Sequence, residues 1–462
     1  MLFSSTIFLF YFLPLVLALY YTVGRIGIRL RNGLLLAASL IFYAWGEPKN
    51  VLLLLASCLA NYLFGLAVAG RRKGFLILAV GFNLGLLFVF KYLNFAVETV
   101  NVLAGAEILP QTNIALPLGI SFFTFQAMSY VIDVYRGDTP VRKNLSDLAL
   151  YICLFPQLVA GPIVRYNEIQ QQLSTRRESL EAVCAGMCRF VGGLGKKLLL
   201  ANSMGVIADT VFGQTKLWHT QYLVPSTLAW VGAAAYMLQI YLDFSAYSDM
   251  AIGLGGMFGF SFPENFNYPY MADSMNEFWR RWHMSLTRWF REYLYFPLGG
   301  SRTRNADGMV RNLLIVWLCT GIWHGANWTF VFWGLWNFLF VVLERVAGID
   351  QWPGAIWRHG YTLLAVLIGW VLFRSDDLYC FFEYMANLFC LNGNGVFSAE
   401  AFMLLRENWL WLAASVLACV SPEDRRRKLP GALYPAAMLA LLGVCVLYLV
   451  RGGYNPFIYF NF

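Results

Sequence analysis

Apolar residues in this chain run in long blocks, separated by short basic or Gly/Pro-containing breaks, and not at the spacings of half-buried helices or strands. A helix that crosses a bilayer needs about 20 mainly apolar residues. Segments approaching that requirement are residues 2–23, 34–45, 51–69, 75–90, 116–134, 222–242, 313–323, 330–343, 361–373, 409–420 and 433–450. The pattern predicts an all-α, polytopic integral membrane protein with about eleven spanning helices.

Two apolar stretches do not read as simple crossings. Residues 149–164 contain Phe155-Pro156-Gln157 and Gly161-Pro162 and begin and end beside basic segments, so they are expected to dip in and return. Residues 265–270, flanked by Pro263 and containing Pro269, ask for the same. Broken backbone at membrane depth survives only where protein or a water-filled cavity satisfies its polar groups. Both stretches therefore point to a central cavity or funnel. Residues 275–296 (MNEFWRRWHMSLTRWFREYLYF) follow a helical period. Arg280, Arg281, Arg288, Arg291, Glu277 and Glu292 fall in one arc of about 120°, with Phe278, Trp279, Trp282, Leu286, Trp289, Phe290 and Tyr293 opposite. The prediction is an amphipathic helix along the inner interface, with His283 on its aromatic side, turned away from the arginines.

Basic residues orient the crossings. With the N-terminus outside, 28 of the 34 Lys and Arg residues fall in segments on the inner side; Lys49, Lys91, Lys216, Arg374, Arg406 and Arg451 do not. The expectation is a multi-pass protein of the cell (inner or plasma) membrane with an outward N-terminus. The formal charge of +8 is then a consequence of topology and does not call for nucleic acid. The composition, 59% apolar and only 13% charged, excludes a disordered chain, a disulfide-stapled secreted domain and most soluble enzymes. The N-terminus reads as a first span and not as a removed signal peptide. Without a fixed-period repeat or a low-complexity segment, and with polar residues interrupting the apolar segments instead of coating them, residues 1–462 read as a single membrane-embedded domain. Its catalytic core lies at about 116–345, with N-terminal helices in 1–95 and C-terminal helices in 360–462. The nine cysteines contain no Cys-x-x-Cys and read as small apolar residues.

Candidate chemistry is sparse. His324 ends an apolar helix between Gly321 and Gly325, which clear space for a ligand or for another backbone. His283 is either a buried ring with a carbonyl partner or a functional group at membrane depth. Asp243 and Asp249, near Ser245 and Tyr247, are either a hydrogen-bonded pair locking helices together or polar groups lining a cavity. His219 and His359 lie in expected loops and read as solvated. Gly253-Leu254-Gly255-Gly256 is no dinucleotide fingerprint, no motif supports a metal, and no nucleophile elbow is present.

At these positions the chain resembles the membrane-bound O-acyltransferase family, in particular the bacterial branch of the alginate and peptidoglycan O-acetylation membrane components. The resemblance rests on residues 117–137 (PLGISFFTFQAMSYVIDVYRG), 155–166 (FPQLVAGPIVRY), 241–255 (YLDFSAYSDMAIGLG), 277–300 (EFWRRWHMSLTRWFREYLYFPLGG) and 323–327 (WHGAN). It implies that His324 is the signature catalytic histidine and His283 the second one required in this branch. The teichoic acid D-alanylation subunits share the layout, a ring of helices around a funnel. The resemblance further implies an acyl thioester such as acetyl-CoA as co-substrate, no tightly bound cofactor, and an extracytoplasmic partner with a serine-hydrolase-like fold. The acylated product would be an exported or cell-surface polysaccharide.

Acyl transfer from a thioester to a hydroxyl needs a base near neutral pH and a donor to the developing oxyanion. His324 is assigned the base role, and His283 either positions the donor thioester or stabilises the oxyanion. Asn327 or Asp249 is a candidate to orient an imidazole, and Asp243, Trp323, Trp282 and Arg281 are candidates to support the site or line it. The competing reading is a transporter or flippase for an activated donor or lipid-linked sugar, which also needs many spans and intramembrane aspartates but no histidine pair. A scaffold that docks polysaccharide enzymes is the third.

Overall fold

The computed structural model describes residues 1–176, 178–216, 224–301, 306–420, 433–452 and 454–455, and among them it contains helices and no strand. Among the described residues, each of the eleven apolar segments falls for the most part on a helix. Seven of these helices are long and apolar enough to cross a membrane: Phe8–Ile26, Asn50–Val68, Lys73–Ala104, Trp328–Ala347, Ala355–Arg374, Ala399–Val420 and Leu433–Val450. The other four segments fall on Ile28–Gly46, Ile120–Arg136, Ser226–Met257 and Ala306–His324. Ile120–Arg136 shows how such a helix departs from a lipid-facing one. Ser121, Thr124, Gln126, Ser129 and Asp133 are all buried, so its polar residues meet protein and not lipid.

The chain divides into two compact units, residues 1–190 with 247–264, and residues 191–246 with 265–462. In the first, the side chains of Phe3, Phe8, Phe12, Phe42 and Phe155 form a buried aromatic cluster. Asn61 and Asn83 exchange amide hydrogen bonds of 3.2 and 2.8 Å between two candidate spans, a polar clasp in an otherwise apolar surface. The 149–164 stretch breaks as its prolines predict. A helix Leu145–Cys153 stops, a single turn Phe155–Leu158 follows, and the backbone then runs without helix to residue 165. All of it is buried, and Tyr151 donates to the Val164 carbonyl at 2.9 Å, which satisfies an acceptor the broken helix would otherwise leave bare.

The second unit carries the aromatic-rich helices. Ala306–His324 and Trp328–Ala347 form an antiparallel hairpin turning at Gly325–Asn327, and Ala355–Arg374 packs against its second arm. The predicted amphipathic helix over 275–296 is not continuous. It breaks at Trp282–His283 into Met275–Arg281 and Met284–Phe290, then widens into a π-helical turn, Arg291–Tyr295. His283 sits at the break in the left-handed region, φ +44°, so the phase that placed it on the aromatic side no longer holds across the joint.

Candidate active site

The histidine hairpin is built by glycine. A Cβ on Gly321 would lie 2.4 Å from the Phe330 carbonyl oxygen, and one on Gly334 would lie 2.4 Å from the Trp317 carbonyl oxygen. The two glycines therefore let the helices cross backbone on backbone. Of the alternatives the sequence left open, the space beside His324 goes to another chain segment, since a Cβ on Gly325 would also strike the Phe330 ring, 2.1 Å away. His324 is buried, at 6% exposure, and its ring stands edge to face with Trp323, Trp333 and Phe373 at centroid distances of 5.0, 4.9 and 5.2 Å. Three roughly perpendicular aromatic planes fix the imidazole's orientation.

His283 is held from the 265–270 stretch. Asn265 Oδ1 accepts from the Ser285 hydroxyl at 2.8 Å and from the Ser285 main-chain N–H at 3.3 Å, and it lies 3.1 Å from His283 Nδ1. On the main chain, Met284 N–H donates to Asn265 O and Asn267 N–H to Arg281 O, both at 2.9 Å, zipping the stretch to either side of the left-handed residue. Phe244 meets the His283 ring at 4.7 Å and Trp323 at 6.0 Å. Burial pushes the His283 imidazole well below the ordinary histidine range, so the ring stays neutral.

His283 and His324 line one cavity of about 340 Å³. Trp279, Trp282, Trp317, Leu286 and Phe290 supply its apolar wall, Asn276, Thr287 and Thr320 its polar points, and Arg280, Arg291 and Arg345 its positive charge. The arginines and His283 thus face a common space, contrary to the opposed faces the helical period predicted. A second, more polar depression of about 480 Å³ shares Asn276, Arg280 and Arg345 with the first, and adds Asp273, Glu277 and Arg281. Arg281 pairs there with Glu277 at 2.7 Å. The buried carboxylate of Glu344 accepts from the main-chain N–H groups of Met275 and Asn276 and from the Asn276 amide, at 3.0 and 2.7 Å for the two Asn276 bonds. It caps the helix that carries Trp279 and Arg280 into the cavity wall.

The remaining sequence candidates lie elsewhere. Asn327 caps the Trp328–Ala347 helix, accepting from Thr329 N–H at 3.1 Å and donating to Asp376 O at 2.6 Å, so its amide is engaged away from both imidazoles. Asp243 forms an ion pair with Lys197 at 2.7 Å, almost wholly buried in the second unit. Asp249 pairs with Arg189 at 3.1 Å in the first unit, where Arg189 also meets Glu264 at 2.6 Å. Neither aspartate lines the histidine cavity. His359 lies within the Ala355–Arg374 helix, not in a loop, with Nδ1 3.0 Å from Ala272 O; His219 lies outside the described residues. The sequence reading passed over Asn265, Trp279, Arg345 and Glu344 as parts of the site. Asn265 had a signal, a polar residue opening a proline-broken stretch; Glu344, in the last turn of an apolar helix, had only its rarity.

A family model described as MBOAT, membrane-bound O-acyltransferase family, matches residues 139–348, a span that includes both histidines and Glu344. The chain is 45% identical to a probable alginate O-acetylase of Pseudomonas putida, over 82% of this chain and 78% of that protein. It is 32% identical to a peptidoglycan O-acetyltransferase of Helicobacter pylori, over 85% of this chain and 80% of that protein. A teichoic acid D-alanyltransferase of Bacillus subtilis matches at 28% identity over 56% of this chain and 67% of its own length.

Proposed function

The chain belongs to the membrane-bound O-acyltransferase family, and on that premise we propose that it moves an acetyl group from a thioester to a hydroxyl of an exported or cell-surface polysaccharide, with His324 as the base. As a member it is a multi-pass membrane O-acyltransferase. The observation that carries the finer reading is the pair of imidazoles on one cavity, with the Trp323 ring against both. In the proposed step His324 takes the proton of the attacking hydroxyl as its oxygen bonds to the thioester carbonyl carbon. The carbon–sulfur bond then breaks, and the departing thiolate recovers that proton.

Acetyl is the preferred group because relatives named for alginate and peptidoglycan acetylation cover most of the chain. The donor side is the arginine-rich depression. Arg280, Arg281 and Arg345 suit the phosphates of a coenzyme A thioester, and the aromatic chamber beside them suits its uncharged end. Together with the basic-residue bias, this supports a cytoplasmic donor, an outward N-terminus and placement in the cell's inner or plasma membrane. Among the described residues nothing folds apart from the helical units as a separate domain to hold a polymer. The acetyl group is therefore expected to pass to an extracytoplasmic, serine-hydrolase-like partner, recoverable by copurification.

The test is acetate on surface polysaccharide in a strain carrying His324→Ala in place of the wild-type gene. The expected result is loss of ester-linked acetate with the variant present at wild-type abundance. Unchanged acetate at that abundance ends the proposal. Proteoliposomes given labelled acetyl-CoA separate this reading from transport, since only an acyltransferase leaves label covalently bound and releases free thiol.

A further inference from the structure

Building on the acyl-transfer reading, we propose that Asn265 is a positioning residue that locks His283 in the Nδ1–H tautomer, so that Nε2 acts on the substrates as a hydrogen-bond acceptor. The proposal decides between the two roles open to His283. A ring whose Nε2 carries the lone pair accepts from an O–H or N–H of a substrate; it does not donate to an oxyanion.

The Ser285 main-chain N–H can only donate, and it points at the side-chain atom of Asn265 that lies 3.3 Å away. That atom is therefore the amide oxygen, which settles the orientation of an amide otherwise free to be turned over. The Ser285 hydroxyl donates to the same oxygen at 2.8 Å. An amide oxygen only accepts, so His283 Nδ1, at 3.1 Å from it, must carry a hydrogen. In a neutral imidazole the other nitrogen is then unprotonated. Burial keeps the ring neutral, which leaves this tautomer in place at physiological pH.

The surroundings make the arrangement stiff. Asn265 is fully buried, and its backbone is zipped to residue 284 on one side of His283 while Asn267 is bonded to residue 281 on the other. A residue with a Cβ in the left-handed region costs about 1–2 kcal/mol, and such outliers persist where the surroundings over-determine them and cluster at functional sites. Asn265 is not among the residues lining the cavity, whereas His283 is. Nδ1 is thus committed behind the ring, and Nε2 is the atom left to act on the cavity. Charge that develops on the thioester oxygen then falls to other donors. The Trp279 indole N–H is buried with no hydrogen-bond partner among the described residues, and its ring lines the same cavity.

The experiment is imidazole nitrogen-15 spectroscopy of the full chain, labelled at histidine, in lipid nanodiscs, with the His283 signals assigned by their loss in His283→Gln. The wild type is expected to show a protonated Nδ1 and an unprotonated Nε2. Asn265→Asp keeps an acceptor and should keep that pattern. Its negative charge also favours the imidazolium, so the acid limb of the pH–rate profile for acetyl transfer from acetyl-CoA should move to higher pH. Asn265→Leu should lose the pattern and lower kcat by roughly 10- to 100-fold, as removal of a supporting hydrogen bond behind a functional imidazole does. A wild-type spectrum with hydrogen on Nε2 overturns the proposal, as does Asn265→Leu with unaltered spectrum and rate. If Asn265→Leu does not fold, the wild-type spectrum and the Asn265→Asp profile still decide. A wild type with the expected tautomer and no acetyl transfer to any acceptor would sink the acyltransferase assignment of the pocket while leaving the tautomer standing.

Discussion

Gly321→Ala adds one methyl group at the point where the His324 helix crosses its neighbour. Its Cβ would lie 2.4 Å from the Phe330 carbonyl oxygen and close to the Gly334 Cα, which is already 3.3 Å from the ideal Cβ position. Both contacts are backbone, so no side chain can swing aside, and the helices must separate by roughly 1 Å. Overpacking of this kind costs about 1–3 kcal/mol. Replacing a mid-helix glycine by alanine returns about 1 kcal/mol of helix propensity. The expected net loss of stability is therefore small, up to about 2 kcal/mol. The effect on rate should be much larger. Gly321 is one turn from His324, and a displacement of about 1 Å at a reacting group can cost on the order of 100-fold. Thermal unfolding in detergent, read beside thiol release from acetyl-CoA per folded molecule, separates the two. Gly85→Ala, with nothing within 4 Å of its Cβ, is the control and should be neutral or slightly stabilising. Wild-type turnover in Gly321→Ala would refute the reasoning, as would a rate that falls only in step with the folded fraction.

Three further outcomes are expected. Glu344→Gln keeps the shape of the side chain but removes the charge that caps Met275–Arg281; it should lower the unfolding midpoint by an amount equivalent to about 1–2 kcal/mol and reduce turnover, and an unshifted midpoint would count against the cap. Lys197→Met alone removes the cation beside the buried Asp243 carboxylate and should cost about 3–5 kcal/mol, whereas Lys197→Met with Asp243→Leu should recover most of the folded yield. Equal yields for the single and double variants would mean that the pair is not desolvated. Because the folded-state affinity of His283 for protons is depressed, the unfolded chain binds a proton below about pH 6.5 that the folded chain refuses. Wild-type stability should therefore fall as pH drops below that value, by up to about 1.4 kcal/mol per pH unit from this group, and His283→Gln should lack that part of the slope. Parallel pH curves for the two proteins would contradict the burial argument.

Helices were legible in the sequence because long apolar runs have few alternatives in a lipid solvent. The eleven runs all fall on helices, although only seven meet the demands of a span; polar residues such as Gln126 and Asp133 face protein, and hydropathy cannot see that cover. The prolines at 156 and 162 announced broken backbone correctly. Residues 275–296 misled because their spacing is helical on both sides of a joint, and periodicity carries no mark of a left-handed residue. A residue other than glycine is an uncommon occupant of such a position, and the hydrogen bonds to Asn265 belong to what holds it there. The two glycines beside His324 were informative about space but not about its occupant, which is the Phe330 backbone and ring. Asp243 and Asp249 resisted assignment because their partners, Lys197 and Arg189, are remote in sequence.

The bonds that join residue 265 to 284 and 267 to 281 close the base of a loop 18 residues around, with the second imidazole at its neck. A loop pinned in this way behaves as a cassette. Residues within it, including Trp279 and Arg280, can change to suit a different donor or acceptor while the pinned base keeps the ring at the neck. Grafting residues 265–285 from a relative with another preference should transplant selectivity in one piece, provided that the carboxylate at 344 is matched to the incoming helix start.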